Sequence, residues 1–447
     1  MADTGPEFRA VSNGPMPSVI IAGGGLAGLS AAAALGGAGY QVEVFESRPY
    51  LGGRATSYRI PSENEDGGEV DNCQHVLLRC CVNLLDFYHR LGVLGKLQFH
   101  REFYFIEPGG RVSTLKAGKL PAPLHFTESF LKLACLNWGE KIALGRALLA
   151  LRGEFRTRQD LNSITMLDWL HEKSQPPRVI ERFWRQVLVS AINEELDRMA
   201  AHHGFQVFWL GFLARPDGYE MGVPSVPLGD LYGKSAWESL PNVRFQLRAP
   251  VEGVSNAGAM VHGGVVKADA YVCTLPFERV GAVLKGFEAP AMEHSPITGI
   301  HLWFDRPVTD LPHATLLDRT VQWLFNKDGG RYIQVVVSAS RNLIPMSKAE
   351  VVELAIRELA EFFPAVRDAR LLRSHVVKEV RATFSAAPGV VRPGVSTHEP
   401  GVFVAGDWTD SGWPATMEGS VRSGYLAAEA VTRYLGSPQR FLLPDMA

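Results

Sequence analysis

Gly23-x-Gly25-x-x-Gly28 follows the short apolar run Val19-Ile20-Ile21-Ala22 and opens an Ala- and Leu-rich stretch from Leu26 to Leu35. Glycines at this spacing do three jobs. The first permits a tight turn, the second lets the main chain approach a diphosphate, and the third lets helix and strand pack. The diphosphate then lies at a helix N-terminus, against unpaired N–H groups such as those of Leu26 and Ala27. Glu46 ends the next strand-like run, Gln41–Glu46, 18 residues after Gly28, with Ser47 and Arg48 beside it. That carboxylate is placed to accept hydrogen bonds from both ribose hydroxyls of an adenosine. The pattern predicts a dinucleotide-binding βαβ unit and leaves NAD and FAD both open.

Arg48-x-x-x-Gly52-Gly53-Arg54-Ala55-Thr56 comes directly after Glu46. Paired glycines allow a second close main-chain approach, and an arginine can bridge a diphosphate by bidentate bonds. At this position the motif resembles the second fingerprint of FAD-binding oxidoreductases of the amine oxidase and carotenoid desaturase type. Near the C-terminus, Gly401-Val402-Phe403-Val404-Ala405-Gly406-Asp407 reads as a strand ending in Gly-Asp, and Pro414-Ala415-Thr416-Met417-Glu418-Gly419-Ser420 opens a helix running to about Tyr434. The resemblance implies that Gly406 and Asp407 bind the ribityl chain. It also implies that the helix start, with Met417, Glu418 and Ser420, faces the flavin pyrimidine carbonyl. Val251 resembles the valine whose main chain pairs with adenine, and Val272-Cys273-Thr274-Leu275-Pro276 the strand that closes over the adenosine half. The implied FAD is non-covalent: no cysteine follows Cys273, which excludes a cysteinyl bond in the C-terminal half. No metal site is expected.

Asp71-Asn72-Cys73-Gln74-His75-Val76-Leu77-Leu78, the run from Cys80 to Tyr88, and the stretch from Gly406 to Gly424 are similar to the squalene-associated FAD-dependent desaturase group, a likeness that covers Pro17 to about Gly436. Members of that group act as hydroxysqualene dehydroxylases in squalene and hopanoid synthesis. The resemblance therefore implies a squalene-type polyprenyl lipid and reductive removal of its allylic hydroxyl, with Gln74 and His75 close to the cofactor. His75 is the first candidate proton donor. Asp71 and Asp410 are weaker ones, because solvated carboxylates are ionised at neutral pH. Trp408 and Trp413 are placed to stabilise a developing cation through their faces. Sibling amine oxidases carry a lysine on the strand that here reads Thr298 to Pro307 without one, which disfavours amine oxidation. Two rivals stand beside this reading. One is a desaturase that oxidises such a lipid. The other is a prenyl-lipid binding protein like guanine-nucleotide dissociation inhibitors, which would not need Gly406-Asp407 and Pro414–Gly419 intact.

Positioning these motifs requires an α/β fold with a discontinuous Rossmann-type FAD-binding domain (16–101, 236–284 and 383–447). An inserted α+β substrate domain (102–235 and 285–382) completes it, and residues 1–15 read as a disordered extension. Within the insert, 124–237 looks helical, with Phe126, Phe130, Leu133 and Leu136 at helical spacing. Ile300–Phe304 and Tyr332–Ser338 read as strands and Lys348–Phe362 as a helix. Lys132, Lys141, Arg146 and Arg152, interleaved with Phe126, Phe130 and Trp138, suit either a tunnel wall or peripheral contact with anionic headgroups. The aromatic run 205–213 suits the tunnel.

The chain has 447 residues, 46% apolar and 21% charged, a globular composition that argues against disorder. Forty-five Lys+Arg against 47 Asp+Glu give no basic excess for gripping nucleic acid. Residues 10–42 lack charge but are crowded with glycine, so they read as a nucleotide turn and not a membrane span. Five cysteines with no CxxC pair suit a reduced, cytosolic location, with peripheral contact at the inner face of the cytoplasmic membrane.

Overall fold

The computed structural model describes residues 16–60 and 68–446, so the expected extension over 1–15 lies outside the described residues. β1 (Ser18–Ala22), α1 (Leu26–Gly37) and β2 (Gln41–Glu46) form the βαβ unit. β1 is central in a five-stranded parallel sheet, flanked on one side by β2 and Val243–Leu247 and on the other by Ala270–Cys273 and Val402–Val404. Being covered on both faces explains why β1 reads as a continuous apolar run. Leu29 and Leu35 of α1 are fully buried, each contributing about 1.5–3 kcal/mol through burial. α1 crosses the C-terminal helix Met417–Tyr434, and Ser30 Oγ donates to Val421 O across that contact at 3.3 Å. Both helices therefore bring their N-termini to one region of the molecule.

A seven-stranded sheet forms the second layer. Its order is Leu371–Phe384, His294–Phe304, Tyr332–Ser338, Trp323–Asp328, His313–Leu316, Glu102–Ile106 and Val112–Lys116. Lys348–Phe362 is helical, with Ser347 and Glu350 forming a capping box at its start. The structure moves two of the expected boundaries. The break at 382/383 falls inside Leu371–Phe384, one strand paired with His294–Phe304 along its length. The break at 235/236 falls inside the turn Lys234–Trp237. A small sheet also ties the expected units together, because Met221–Pro224 pairs with both Leu77–Leu78 and Leu97–His100.

The helical spacing through Phe126, Phe130, Leu133 and Leu136 overruns its helix. Thr127–Lys132 ends before the last two, which are buried beyond the helix end. Burial alone kept them apolar. A longer helix, Trp138–Glu154, begins at an Asn137–Glu140 capping box. Among the described residues, no helix is long and apolar enough to cross a membrane.

Candidate active site

The glycine turn is held by main-chain bonds. Gly23 N–H donates to Phe45 O at 2.8 Å, and Thr274 braces the turn from the neighbouring strand, its hydroxyl 3.0 Å from both Ala22 O and Gly23 O. A Cβ on Gly28 would sit 2.0 Å from Gly23 O, so Gly28 is required by packing. Gly25 is different. Its backbone (φ −78°, ψ 177°) suits any residue, and a Cβ there would meet nothing nearer than Gly53 Cα at 4.0 Å. Packing does not explain this glycine, whereas close approach of a ligand does. Gly25 caps α1, whose first main-chain bond is Leu29 N–H to Gly25 O. The helix thus leaves the N–H groups of Leu26, Ala27 and Gly28 without helical acceptors. A diphosphate fits this cradle, with a dipole contribution of about 0.3–2 kcal/mol.

The second fingerprint folds onto the first. Gly52 N–H donates to Gly24 O at 2.8 Å, and Gly53 lies against Gly25. Glu46, buried at the end of β2, accepts from Gly24 N–H and Arg48 N–H at 2.7 Å each and from Ser47 Oγ at 3.1 Å. Oε1 takes the bonds from Arg48 and Ser47 and Oε2 only that from Gly24, so Oε2 keeps a lone pair for a ribose hydroxyl. Ala249 N–H donates to Glu46 O at 2.9 Å, which brings Val251, two residues on, to the same end of the sheet. Arg48 reaches Gly53 O at 3.4 Å. Arg54 instead pairs with Asp407 at 2.7 Å, so the motif expected at the diphosphate and the one expected at the ribityl chain meet directly. Gly406 N–H donates to Ser423 Oγ at 3.0 Å, anchoring Asp407 to the C-terminal helix.

Thr416 caps that helix, its hydroxyl accepting from Gly419 N–H at 3.0 Å, and Ser420 N–H donates to Thr416 O. The helix N-terminus opens onto a cavity of about 230 Å³ lined by Pro414, Thr416, Met417 and Glu418. The rest of that wall is mostly apolar and includes Leu77, Phe105, Val187, Leu210, Phe325 and Trp413. Gln206, Val207, Leu210 and Phe212 of the aromatic run are part of it.

Several expected residues sit differently. Glu418 turns its carboxylate to the start of α2 (Val82–Arg90), accepting from Leu84 N–H at 2.7 Å and from Asn83 N–H and Nδ2 at 3.2 and 2.9 Å. Its side chain is occupied by that cap and is not free for the cofactor. Burial above all raises its pKa to about 7, against the pull of those donors and Arg422. Trp408 is buried, its indole N–H on Leu275 O at 3.0 Å, and it is not part of this cavity's wall. Trp413 does line the cavity, tied to Asp445 at 2.9 Å. Gln74 lines it too. His75 is not among its lining residues, and its Nδ1 lies 3.3 Å from Cys73 O. Burial lowers the pKa of His75, which keeps the ring neutral and a poor acid. Asp71 is held by Ser57 and Leu228 N–H, while Asp410 lies 3.6 Å from Arg392.

Sequence reasoning passed over Arg392, whose Nη1 donates to Trp413 O at 2.5 Å and pins the loop after Asp407. It also passed over Gln186 and Thr315 in the cavity wall. An isolated polar residue in an apolar stretch is the only signal they leave.

Comparison with known proteins follows this geometry. The family model described as flavin containing amine oxidoreductase matches residues 26–432. A 15-cis-phytoene desaturase from Synechococcus elongatus is 26% identical over 462 residues, covering 92% of this chain and 95% of the relative. A probable zeta-carotene desaturase from the same organism is 25% identical over 480 residues, covering 92% and 98%. Among solved structures, cyclohexylamine oxidase from Brevibacterium oxydans superposes with a TM-score of 0.67 at 17% identity, covering 94% of this chain and all of that one (100%). An oxidoreductase from Methanosarcina mazei gives 0.67 at 17%, covering 91% and 98%.

Proposed function

The chain belongs to the flavin-containing amine oxidoreductase family and is an FAD-dependent oxidoreductase, and we propose that its substrate is a polyprenyl lipid of the squalene and carotenoid type, which it desaturates. The observation that carries this reading is the meeting of the C-terminal helix start with a largely apolar cavity. The phytoene and zeta-carotene desaturases, alike over more than nine-tenths of this chain, support the oxidative direction.

Bound FAD supplies two-electron exchange of hydrogen with a carbon of the lipid. The residues of the chain do the rest. Gly25 and the first N–H groups of α1 receive the diphosphate, Glu46 the adenosine ribose, and Asp407 with Gly406 the ribityl chain. Val251 serves the adenine, with Ser47, Arg48, Gly52, Gly53, Arg54 and Thr274 bracing the cradle. The free N–H groups of Met417 and Glu418 present partial positive charge to the ring, and the apolar wall excludes water while it orients the chain.

Reductive removal of an allylic hydroxyl is the second reading. It is favoured by the likeness of Asp71–Tyr88 and Gly406–Gly424 to the squalene-associated group. There R–OH, two electrons and two protons give R–H and water, and the same cavity holds the lipid.

Lipid access has a matching surface. Leu124, Leu131, Trp138, Ile142 and Leu149 are all exposed within one stretch, Trp138 by 65% and Leu149 by 64%. Lys132, Arg146 and Arg152 lie among them. Phe126, from the same stretch, packs on Phe212 of the cavity wall. Large exposed apolar side chains beside basic ones suit peripheral contact with an anionic bilayer from which the lipid is drawn.

Product analysis separates the directions. Oxidised holoenzyme given a polyprenyl hydrocarbon and an electron acceptor is expected to yield a more unsaturated hydrocarbon. If only chemically reduced holoenzyme reacts, turning a polyprenyl allylic alcohol into hydrocarbon, the second reading replaces the first.

A further inference from the structure

The cavity is small for the lipid assigned to it. It encloses about 230 Å³, below the roughly 300–1,000 Å³ of sites that hold drug-sized ligands, and a squalene- or carotenoid-type chain is longer than those ligands. Part of the wall therefore has to move aside. Much of it stands on regular elements, as Val187 and Ala191 do on Gln186–Ile192 and Phe325 does on Trp323–Asp328. One patch is built differently. Cys80, Leu210 and Trp413, all lining the cavity, pack as a separate buried cluster whose cover includes Met446, itself outside the wall.

Met446 belongs to a run, residues 438–446, that has neither helix nor strand. Among the described residues this run makes no main-chain-to-main-chain hydrogen bond, and side chains elsewhere hold it instead. Gln439 N–H donates to Thr432 Oγ1 at 3.1 Å, and the N–H groups of Phe441 and Leu442 donate to Glu429 Oε1 at 2.8 and 2.9 Å. Leu443 exchanges two bonds with the Asn83 side chain, at 2.8 and 3.2 Å. Asp445 then accepts from the Trp413 indole N–H and from Arg422 Nη1, both at 2.9 Å. The main chain around Trp413 is fastened separately, since Arg392 donates to Trp413 O and Arg422 Nε to Ser411 O. Release of Asp445 therefore frees the indole and not the loop. A mostly exposed run without main-chain bonds opens at lower cost than the helix before it. The patch is also continuous with the exposed apolar stretch: Trp209, packed on the same cluster, stacks on Phe155 at the end of the Trp138–Glu154 helix, ring centroids 5.7 Å apart.

We propose that residues 438–446 form a strap over this patch, that the strap undocks to let the lipid pass, and that Asp445 is the positioning residue that keeps the Trp413 indole in the closed wall. The inference rests on the polyprenyl-lipid reading above and adds to it a route into the cavity, which serves either direction of electron flow.

The test is stopped-flow mixing of oxidised holoenzyme with detergent-dispersed squalene, read through the change in flavin absorption. A closed strap limits the rate at which lipid enters and leaves, so Asp445→Ala is expected to raise both the association and the dissociation rate about threefold or more, with flavin content unchanged. Asp445→Asn, which keeps an oxygen for the indole, is expected to match wild type. A residue that only stabilised the fold would shift the melting temperature and leave both rates alone. Unchanged rates in folded, flavin-loaded Asp445→Ala overturn the proposal and leave the polyprenyl-lipid reading standing. Asp445→Asn as fast as Asp445→Ala overturns the part given to the indole. Failure of wild type to respond to squalene rejects the polyprenyl-lipid reading, and the proposal with it. Should Asp445→Ala fail to fold, hydrogen exchange in wild type decides. The amides of Phe441, Leu442 and Leu443 are expected to exchange about tenfold or more faster than those in the middle of Met417–Tyr434, and equal protection overturns the strap.

Discussion

At the Gly23–Gly28 turn main-chain bonds set the shape, braced by the Thr274 hydroxyl and the Glu46 carboxylate, while the cavity wall is assembled from side chains of segments between Gln74 and Glu418. The turn tolerates almost nothing at Gly28, where a single carbon would lie 2.0 Å from Gly23 O. The wall has no such constraint. Val187, Ala191, Leu210 and Phe325 meet the cavity with side chains that can change size while their strands and helices stay put. A backbone-built cradle fixes which cofactor is held. A side-chain-built cavity is free to vary its substrate, which is how one fold serves both amines and lipids.

The largest expected effect breaks the cradle alone. Gly25→Ala leaves the backbone unstrained, and its Cβ meets no protein atom nearer than 4.0 Å. It is therefore expected to fold with an unchanged melting temperature while flavin content falls more than tenfold, measured by absorbance after gel filtration. Full flavin content would show that Gly25 does not face the diphosphate. Breaking the cavity alone is the complement. Ala191→Phe fills space in the wall, and turnover of the lipid is expected to drop about tenfold with flavin content unchanged. Loss of flavin in this variant would mean that the two regions are not separable.

Glu418 lies where the regions join, and it titrates. Its pKa is about 7 in the folded chain against 4.5 for an ordinary carboxyl, chiefly through burial. The folded state therefore keeps a proton that the unfolded chain has released. This contribution is fully present below pH 4.5 and is lost as pH rises through 7. The shift corresponds to at most about 3 kcal/mol. Denaturant melts of wild type from pH 5 to 8 are expected to show that decline, and Glu418→Gln is expected to flatten it. Equal slopes in both proteins would remove Glu418 as its source. The smallest effect concerns access: Trp138→Ser with Ile142→Ser is expected to reduce co-sedimentation with anionic vesicles several-fold while activity on detergent-dispersed lipid persists. Unchanged sedimentation would assign that surface to another role.

How much the sequence revealed follows the same division. Where the main chain does the work, the demand shows as glycine, and the βαβ unit, Gln41–Glu46 and the paired Gly52-Gly53 were readable at their true positions. Tyr332–Ser338 and Lys348–Phe362 were readable too, and the structure gives each the same bounds. Where burial alone selects a residue, spacing misleads, as Leu133 and Leu136 show beyond the end of their helix. The break placed at 382/383 failed because Leu371–Phe384 is long enough to reach from the seven-stranded sheet to the cofactor side. Glu418 looked like a cofactor ligand because its partner, the start of α2, lies more than three hundred residues away. The run 205–213, assigned to the tunnel from its aromatic residues, does supply Gln206, Val207, Leu210 and Phe212 to the cavity wall.

The most direct test of the account is an anaerobic stopped-flow experiment that joins cradle to cavity. Oxidised holoenzyme is mixed with a polyprenyl hydrocarbon, and chemically reduced holoenzyme with the corresponding allylic alcohol, while the flavin spectrum and the lipid products are followed together. The account predicts that one of the two mixtures changes the flavin oxidation state in stoichiometric step with conversion of the lipid, and that Ala191→Phe slows that change without altering flavin content. A flavin that responds to neither lipid, in protein that is fully loaded and folded, would contradict it.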